Sequence, residues 1–313
     1  MTNAVTAYPN PRLIALSLVG HGSGWSANAL PGQPTRWGDQ PTRWGDQEDS
    51  AGGLLWDDFP GDDAPGDGSG SRSMSTRALG IGLKWITDEI GQKIDLLYLD
   101  ACSMGMIEVA YELRDSVDYM LASPNTAWAS FTYDAMLRGV DNTQSAEQVG
   151  QAWLRAEAIA LSSELYPYTL SLFNLDKVGL VAQAVSQLAD ALLAAIGNQR
   201  SAFDEAYDST EHYESNYDGA IAPAQDHYAD LLSFVRQLET AARDNVTIAP
   251  LVQGVMDALN ETSGFIIKAD VKPGKPWNYE NEWKWAEARG VGIYLPLRED
   301  DPKRELYTDK ILA

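Results

Sequence analysis

The chain has 313 residues and 45 Asp and Glu against 23 Lys and Arg, a formal charge of −22. A hydrophobic share of 44% supports a packed core and excludes global disorder. The acidic balance argues against nucleic acid, which needs clustered Lys and Arg, and no uninterrupted apolar run approaches the ~18–20 residues of a membrane span. The N-terminus, MTNAVTAYPNPR, carries no basic-then-apolar secretory signal. The compartment is left open, with an extracellular or cell-surface setting for a longer form.

Leu13 to Val19 is a short apolar run ending in Gly20-His21-Gly22-Ser23-Gly24-Trp25, the length and termination of a buried strand. Residues 27–75 are rich in Gly, Pro, Asp and Ser and read as a long exposed loop. Within it Gln33-Pro34-Thr35-Arg36-Trp37-Gly38-Asp39 is repeated at once as Gln40-Pro41-Thr42-Arg43-Trp44-Gly45-Asp46, so the loop tolerates insertion. A helix is predicted over Thr76–Ile90 and a second strand over Ile94–Leu99, running into Asp100-Ala101-Cys102. A helix is expected directly after Cys102, with Met106, Val109, Ala110 and Leu113 on one face. A third strand is Tyr119–Ala122, ending at Ser123-Pro124, and Ser145-Ala146-Glu147-Gln148 has the form of a capping box opening a helix to about Leu165. Then follow a strand over Tyr168–Phe173, a helix over 176–196, helices near 223–243 and 248–260, and late strands over 265–269 and 291–295. Strands alternating with helices predict an α/β fold with a mostly parallel sheet covered on both faces. Residues 1–140 are expected to form the catalytic core, and the helix-rich 141–313 to complete the sheet or form a subdomain.

Chemistry-bearing residues are few. Cys102 is the lone cysteine, so no intramolecular disulfide forms. The three histidines are His21, His212 and His227; with Cys102 they would make a zinc site only if distant segments converged. His212 and His227 sit in polar surroundings and are expected at the surface. Asp57, Asp58, Asp62, Asp63 and Asp67 invite Ca²⁺, but their spacing does not match an EF-hand loop; no cofactor is expected. What remains is a thiol nucleophile with a histidine partner. In a parallel sheet, functional groups gather beyond the carboxyl ends of the strands. His21 follows the first strand and Cys102 the second, so neighbouring strands would bring them together. A helix N-terminus at Cys102 would favour the thiolate, and Gly22 and Gly24 would let a substrate approach the backbone. Plainer readings stand beside these: a buried apolar cysteine, a turn histidine, and Asp100 as a helix cap.

The segment Leu18 to Trp25 resembles the histidine motif of the clostripain family of cysteine peptidases. Ile94 through Asp100-Ala101-Cys102-Ser103-Met104-Gly105, with Glu108-Val109-Ala110-Tyr111-Glu112-Leu113, resembles that family's nucleophile motif. The likeness continues through Tyr119–Ser123, Tyr228–Leu231 and Gly292–Pro296. It implies a bacterial enzyme with a caspase-like three-layer αβα sandwich and hydrolysis of protein or peptide substrates after Arg or Lys. Cys102 would be the nucleophile, His21 the general acid/base, and the N–H groups of Gly22 and Cys102 the oxyanion hole. Asp100, with Ser123 nearby, would line the pocket for the P1 cation. The resemblance also implies that family strands preceding the histidine motif are missing, leaving an open sheet edge. Self-cleavage in the 27–75 loop is expected, with Arg36, Arg43 and Arg72 as candidate sites. The alternatives are an incomplete, inactive caspase-like scaffold that binds partners, and a caspase-fold enzyme preferring another P1 residue such as Asn. Oligomeric state is not legible.

Overall fold

The computed structural model describes residues 11–22, 24, 54, 74–213, 228–276 and 282–295. Strand β1 (Ala15–Val19) is followed by helix α1 (Thr76–Ile90), β2 (Ile94–Asp100), α2 (Ile107–Leu113), β3 (Val117–Ala122), α3 (Tyr133–Arg138), α4 (Ala146–Ser163) and β4 (Tyr168–Asn174). Then come α5 (Val178–Asp208), β5 (His212–Tyr213), β6 (Tyr228–Asp230), α6 (Leu231–Ala241), α7 (Ile248–Leu259), β7 (Ile266–Lys272) and β8 (Gly292–Tyr294). The main sheet has the order β1-β2-β3-β4-β7. Its first three strands are parallel, and β4 pairs antiparallel with both β3 and β7, so β4 alone runs against the other four. A smaller antiparallel sheet is β5-β6-β8.

Side-chain alternation along β2 builds two cores, one on each face of the sheet. Leu97, Leu99 and Ala101 face one way, into a core with Leu79 and Leu83 of α1, Val109 and Leu113 of α2, Val181 and Leu188 of α5, and residues of α6 and α7. Leu96 and Tyr98 face the other, against Met136 of α3 and Val149, Trp153, Leu154 and Leu161 of α4. The result is a three-layer αβα sandwich. In it α4 lies so close to the sheet that a Cβ at Gly150 would stand 2.7 Å from Leu172 Cδ1. Strand β1 lies at the edge of the described sheet, with Ala15 and Val19 exposed.

Local signals set several boundaries. Ser75 caps α1 through Ala78 N, and Gly91 ends it in the left-handed conformation. Ser145 and Gln148 form the expected capping box of α4. Elsewhere the structure differs from expectation. Helix α5 continues past Gly197 to Asp208, because Phe203, Ala206 and Tyr207 supply another buried turn. The stretch Leu175–Ala195, which includes its first turns, is long and apolar enough to cross a membrane by length and composition, and only a minor part of it is buried, with Val178, Val181 and Leu188 facing the core. Residues 228–230 form a strand rather than helix, since Ala229 pairs with both His212 and Ile293. His212 is buried, 5% exposed, with Nε2 3.0 Å from the Tyr207 carbonyl and its ring edge-on to Tyr207. It is therefore a core residue and not the surface residue expected; His227 lies outside the described residues.

Candidate active site

The site forms where β1 and β2 end. Val19 pairs with Asp100, and the Gly20 N–H donates to the Asp100 carbonyl at 3.2 Å. The register ends there, and His21 and Cys102 each follow two residues further along their own chain. The two segments lie close enough to demand glycine next in line: a Cβ at Gly22 would lie 2.5 Å from the Cys102 carbonyl oxygen and 3.2 Å from its nitrogen. Gly24, at φ +79°, packs on Tyr228 of β6 and Met106. Both glycines thus admit neighbouring parts of the protein itself, where the sequence suggested approach by a substrate.

The turn after Cys102 also departs from expectation. Helix α2 starts at Ile107, with Met106 in the N-cap position, so no helix N-terminus sits at the sulfur and Asp100 caps nothing. Residues 103–105 instead run beside the end of β3. Ser103 N–H donates to the Asn125 carbonyl (2.9 Å) and Gly105 N–H to the Ser123 carbonyl (2.8 Å). Ser103 holds φ +59°, a left-handed conformation unusual for a serine. Cys102 is 7% exposed. The Ala127 N–H donates to its Sγ at 3.3 Å, and the thiol reaches the Ala127 carbonyl at 3.7 Å. A backbone N–H on sulfur favours the thiolate, so Ala127 supplies what the helix terminus was expected to supply. Its contribution comes from the main chain, which leaves no mark on the sequence.

Ser123 is buried. Its hydroxyl donates to the Asn125 carbonyl, accepts from the Asn125 N–H and meets Thr169 Oγ1 at 3.0 Å. It shapes the turn that carries Ala127. The α2 end of the loop is tied down by Gly292 N–H on the Gly105 carbonyl and Tyr294 N–H on Glu108 Oε1, both 2.9 Å.

Asp100 points to the α3/α4 side of the sheet, the face shared with Tyr98. The Tyr133 hydroxyl donates to Asp100 Oδ2, and the Tyr98 hydroxyl also bonds it. Burial pushes the Asp100 carboxyl above the usual carboxylate range, and the tyrosine hydrogen bonds only partly offset that. Tyr133 is in turn raised by desolvation and by the carboxylate it bonds. A second carboxylate lies close by: Glu157 of α4, 3% exposed, accepts from Ser130 Oγ and Thr132 Oγ1. The sequence did carry a signal for it, since Glu157 falls in the apolar stripe Val149, Trp153, Leu154, Ala158, Leu161. Partly buried Asp100 and buried Glu157 act on each other as like charges, and the partners described for them are the hydroxyls of Tyr98, Tyr133, Ser130 and Thr132, a local environment suited to a cation. Among the described residues no group of three or more His, Cys, Asp or Glu could hold a metal ion. The acidic residues 57–67 and the arginines Arg36, Arg43 and Arg72 lie outside the described residues.

An αβα sandwich with a buried thiol beyond one parallel strand and a histidine beyond the next defines the class: a caspase-like cysteine peptidase. The clostripain family model matches residues 50–279, and the chain belongs to that family. The matched stretch contains Cys102, Asp100 and Glu157, and His21 precedes it. Solved structures share the fold. A secreted C11 cysteine protease from Bacteroides thetaiotaomicron, in complex with an irreversible peptide inhibitor, is 16% identical at a TM-score of 0.60, over 99% of this chain and 73% of its own. An inactive zymogen C11 protease from Parabacteroides distasonis is 18% identical at 0.58, over 98% and 71%. A clostripain from Bacteroides thetaiotaomicron, in complex with the peptide inhibitor BTN-VLTK-AOMK, is 16% identical at 0.51, over 76% and 91%. No curated protein matches the chain.

Proposed function

We propose that the chain is an endopeptidase that cleaves after Arg or Lys, with Cys102 as nucleophile and His21 as general acid/base. The observation that supports this reading is the parallel pairing of β1 with β2 up to Val19–Asp100, two residues before His21 and Cys102, with the Gly22 backbone packed on the Cys102 main chain. In the proposed reaction His21 accepts the thiol proton and Sγ attacks the substrate carbonyl carbon. The Gly22 and Cys102 N–H groups hold the oxyanion. His21 then protonates the leaving amine, and water hydrolyses the thioester. Asp100 receives the P1 cation through a charge-assisted hydrogen bond. The family supports the peptidase class. The P1 preference is supported by the Asp100–Glu157 environment and by a fold neighbour that holds an inhibitor whose peptide, VLTK, ends in lysine.

Cleavage in the 27–75 loop is proposed as an activation step, because a long Gly- and Pro-rich stretch with three arginines suits the same enzyme's specificity. A zymogen among the fold neighbours is consistent with this. Peptide-library profiling of the purified protein beside Cys102→Ala tests the whole reading. The wild type should cleave after Arg and Lys and split into two associated fragments, while Cys102→Ala stays whole. A folded wild type that cleaves no peptide would instead favour the scaffold reading, and cleavage after Asn or Asp would remove Asp100 from its role.

A further inference from the structure

Glu157 is anomalous where it stands. The sheet-facing stripe of α4 is otherwise apolar, and a carboxylate there loses its hydration unless protein groups replace it. Both oxygens are served by hydroxyls of one short segment, Ser130 on Oε1 and Thr132 on Oε2. The next residue, Tyr133, bonds Asp100. Between the two hydroxyl anchors sits Phe131, exposed and at φ +50°, a conformation a bulky residue keeps only when its surroundings hold it. At its other end the segment continues into Trp128, whose Nε1 donates to the Pro167 carbonyl, and Ala127 on the Cys102 sulfur. Glu157 thus grips the middle of a strip that reaches the nucleophile at one end and Asp100 at the other. The charges that act on it most, Asp100 and Glu164, are both negative.

We propose that Glu157 is the positioning residue of the P1 pocket: by taking the hydroxyls of Ser130 and Thr132 it fixes the 128–133 strip so that Tyr133 holds Asp100 toward the substrate cation. This rests on the reading that Asp100 receives that cation. Substrate never touches Glu157; the effect passes through Ser130, Thr132 and Tyr133. Glu157→Gln keeps the shape, but its amide NH₂ cannot accept a hydroxyl proton, so one anchor is lost. Ser130→Ala with Thr132→Val removes both anchors while leaving Glu157 in place.

The test compares matched peptides carrying Arg or its neutral isostere citrulline at P1, together with the rate at which iodoacetamide alkylates Cys102. Glu157→Gln should lower the Arg-over-citrulline ratio of kcat/KM by about 10-fold or more, mainly through KM for Arg. Alkylation should stay within about twofold of wild type, because the Ala127 contact with sulfur persists. The Ser130→Ala, Thr132→Val variant should reproduce this pattern. An unchanged ratio in both variants overturns the proposal. So does a parallel loss of Arg cleavage, citrulline cleavage and alkylation, which marks a general packing role. Asp100→Asn separates the two layers. If it abolishes the Arg preference and the Glu157 variants do not, only the role of Glu157 falls. If wild type shows no preference for Arg and Asp100→Asn changes nothing, the pocket reading falls, and this one with it.

Discussion

Two aspartates, one fully and one partly buried, serve this protein in opposite ways. Asp230, in β6 at the start of α6, is fully buried. It accepts from the Tyr213 hydroxyl (2.7 Å), Ser233 N–H (2.9 Å), Arg289 N–H (2.8 Å) and Gly290 N–H (3.0 Å). Four donors from three segments use up its acceptor capacity and knit β5, α6 and the approach to β8 into one junction. Asp100 sits at a strand end near the thiol, keeps partial exposure, and is met by tyrosine hydroxyls alone, with a like-charged Glu157 nearby. Burial raises the pKa of both groups. The difference lies in saturation: a carboxylate whose partners are all supplied by the fold holds structure together, and one left short of a cation is equipped to bind one.

The sharpest way to separate chemistry from scaffold is Cys102→Ala. Alanine keeps the Cβ and removes only the sulfur that meets the Ala127 main chain, so the variant should fold with a Tm near wild type while turnover drops by about 10⁴-fold or more. Measurable peptide cleavage at the wild-type rate would remove Cys102 from the mechanism. Next in size is Asp230→Ala, which strands three backbone N–H groups and a tyrosine hydroxyl in the core. A stability loss of about 3–5 kcal/mol is expected by denaturant titration. If Asp230→Ala is tolerated while Asp100→Ala unfolds the protein, the contrast between the two aspartates is reversed.

How far these roles were legible depends on whether the determinant is local. The Leu13–Val19 run ending in Gly20, the Ser145 capping box, and the strand before Cys102 are local signals, and they placed β1, α4 and β2 closely. The parallel pairing of β1 with β2 is as parallel-strand logic required for His21 and Cys102 to share one sheet end. Other features depend on distant partners. Tyr228–Asp230 is a strand only because β5 and β8 flank it. The delay of α2 to Ile107 reflects the bonds of Ser103 and Gly105 to the turn after β3. Gly197 looks like a helix stop, yet the apolar residues beyond it find a core and the helix runs on. The Ala127 N–H could be supplied by almost any residue at that position. Glu157 was readable in principle, as a charge inside an apolar stripe.

Asp100→Asn tests the unsaturated side of the comparison. Removing one charge of the proposed pair with a P1 cation should cost roughly 2–5 kcal/mol of transition-state binding for Arg peptides and little for citrulline peptides. Parallel kcat/KM measurements on the two series check it. An equal loss for both would mean that Asp100 shapes the site without reading charge.

The smallest expected effect is on pH, and it sets stability against specificity. Desolvation raises the Asp100 and Glu157 carboxyls; Tyr98 and Tyr133 face Asp100 as hydroxyl donors, and no cation offsets the burial. A carboxyl with a raised folded-state pKa binds its proton more tightly in the native state than in the unfolded chain. Its stabilising contribution is complete below the unfolded value, about 4, and is lost as pH rises through the folded value. Binding of a cationic P1 side chain runs the other way, since it needs the ionised form. KM for Arg peptides should therefore climb on acidification from a pH above the ordinary carboxylate range, with KM for citrulline peptides flat over the same interval. Asp100→Asn, which has no charge to bury, should melt roughly 1–3 °C above wild type at neutral pH. That gap should close as the pH falls and the wild-type carboxyl takes up its proton. Melting scans of both proteins across this range would show it. A gap that stays constant with pH would mean that the Asp100 charge costs the fold nothing, and that Tyr98 and Tyr133 saturate it as fully as its four donors saturate Asp230.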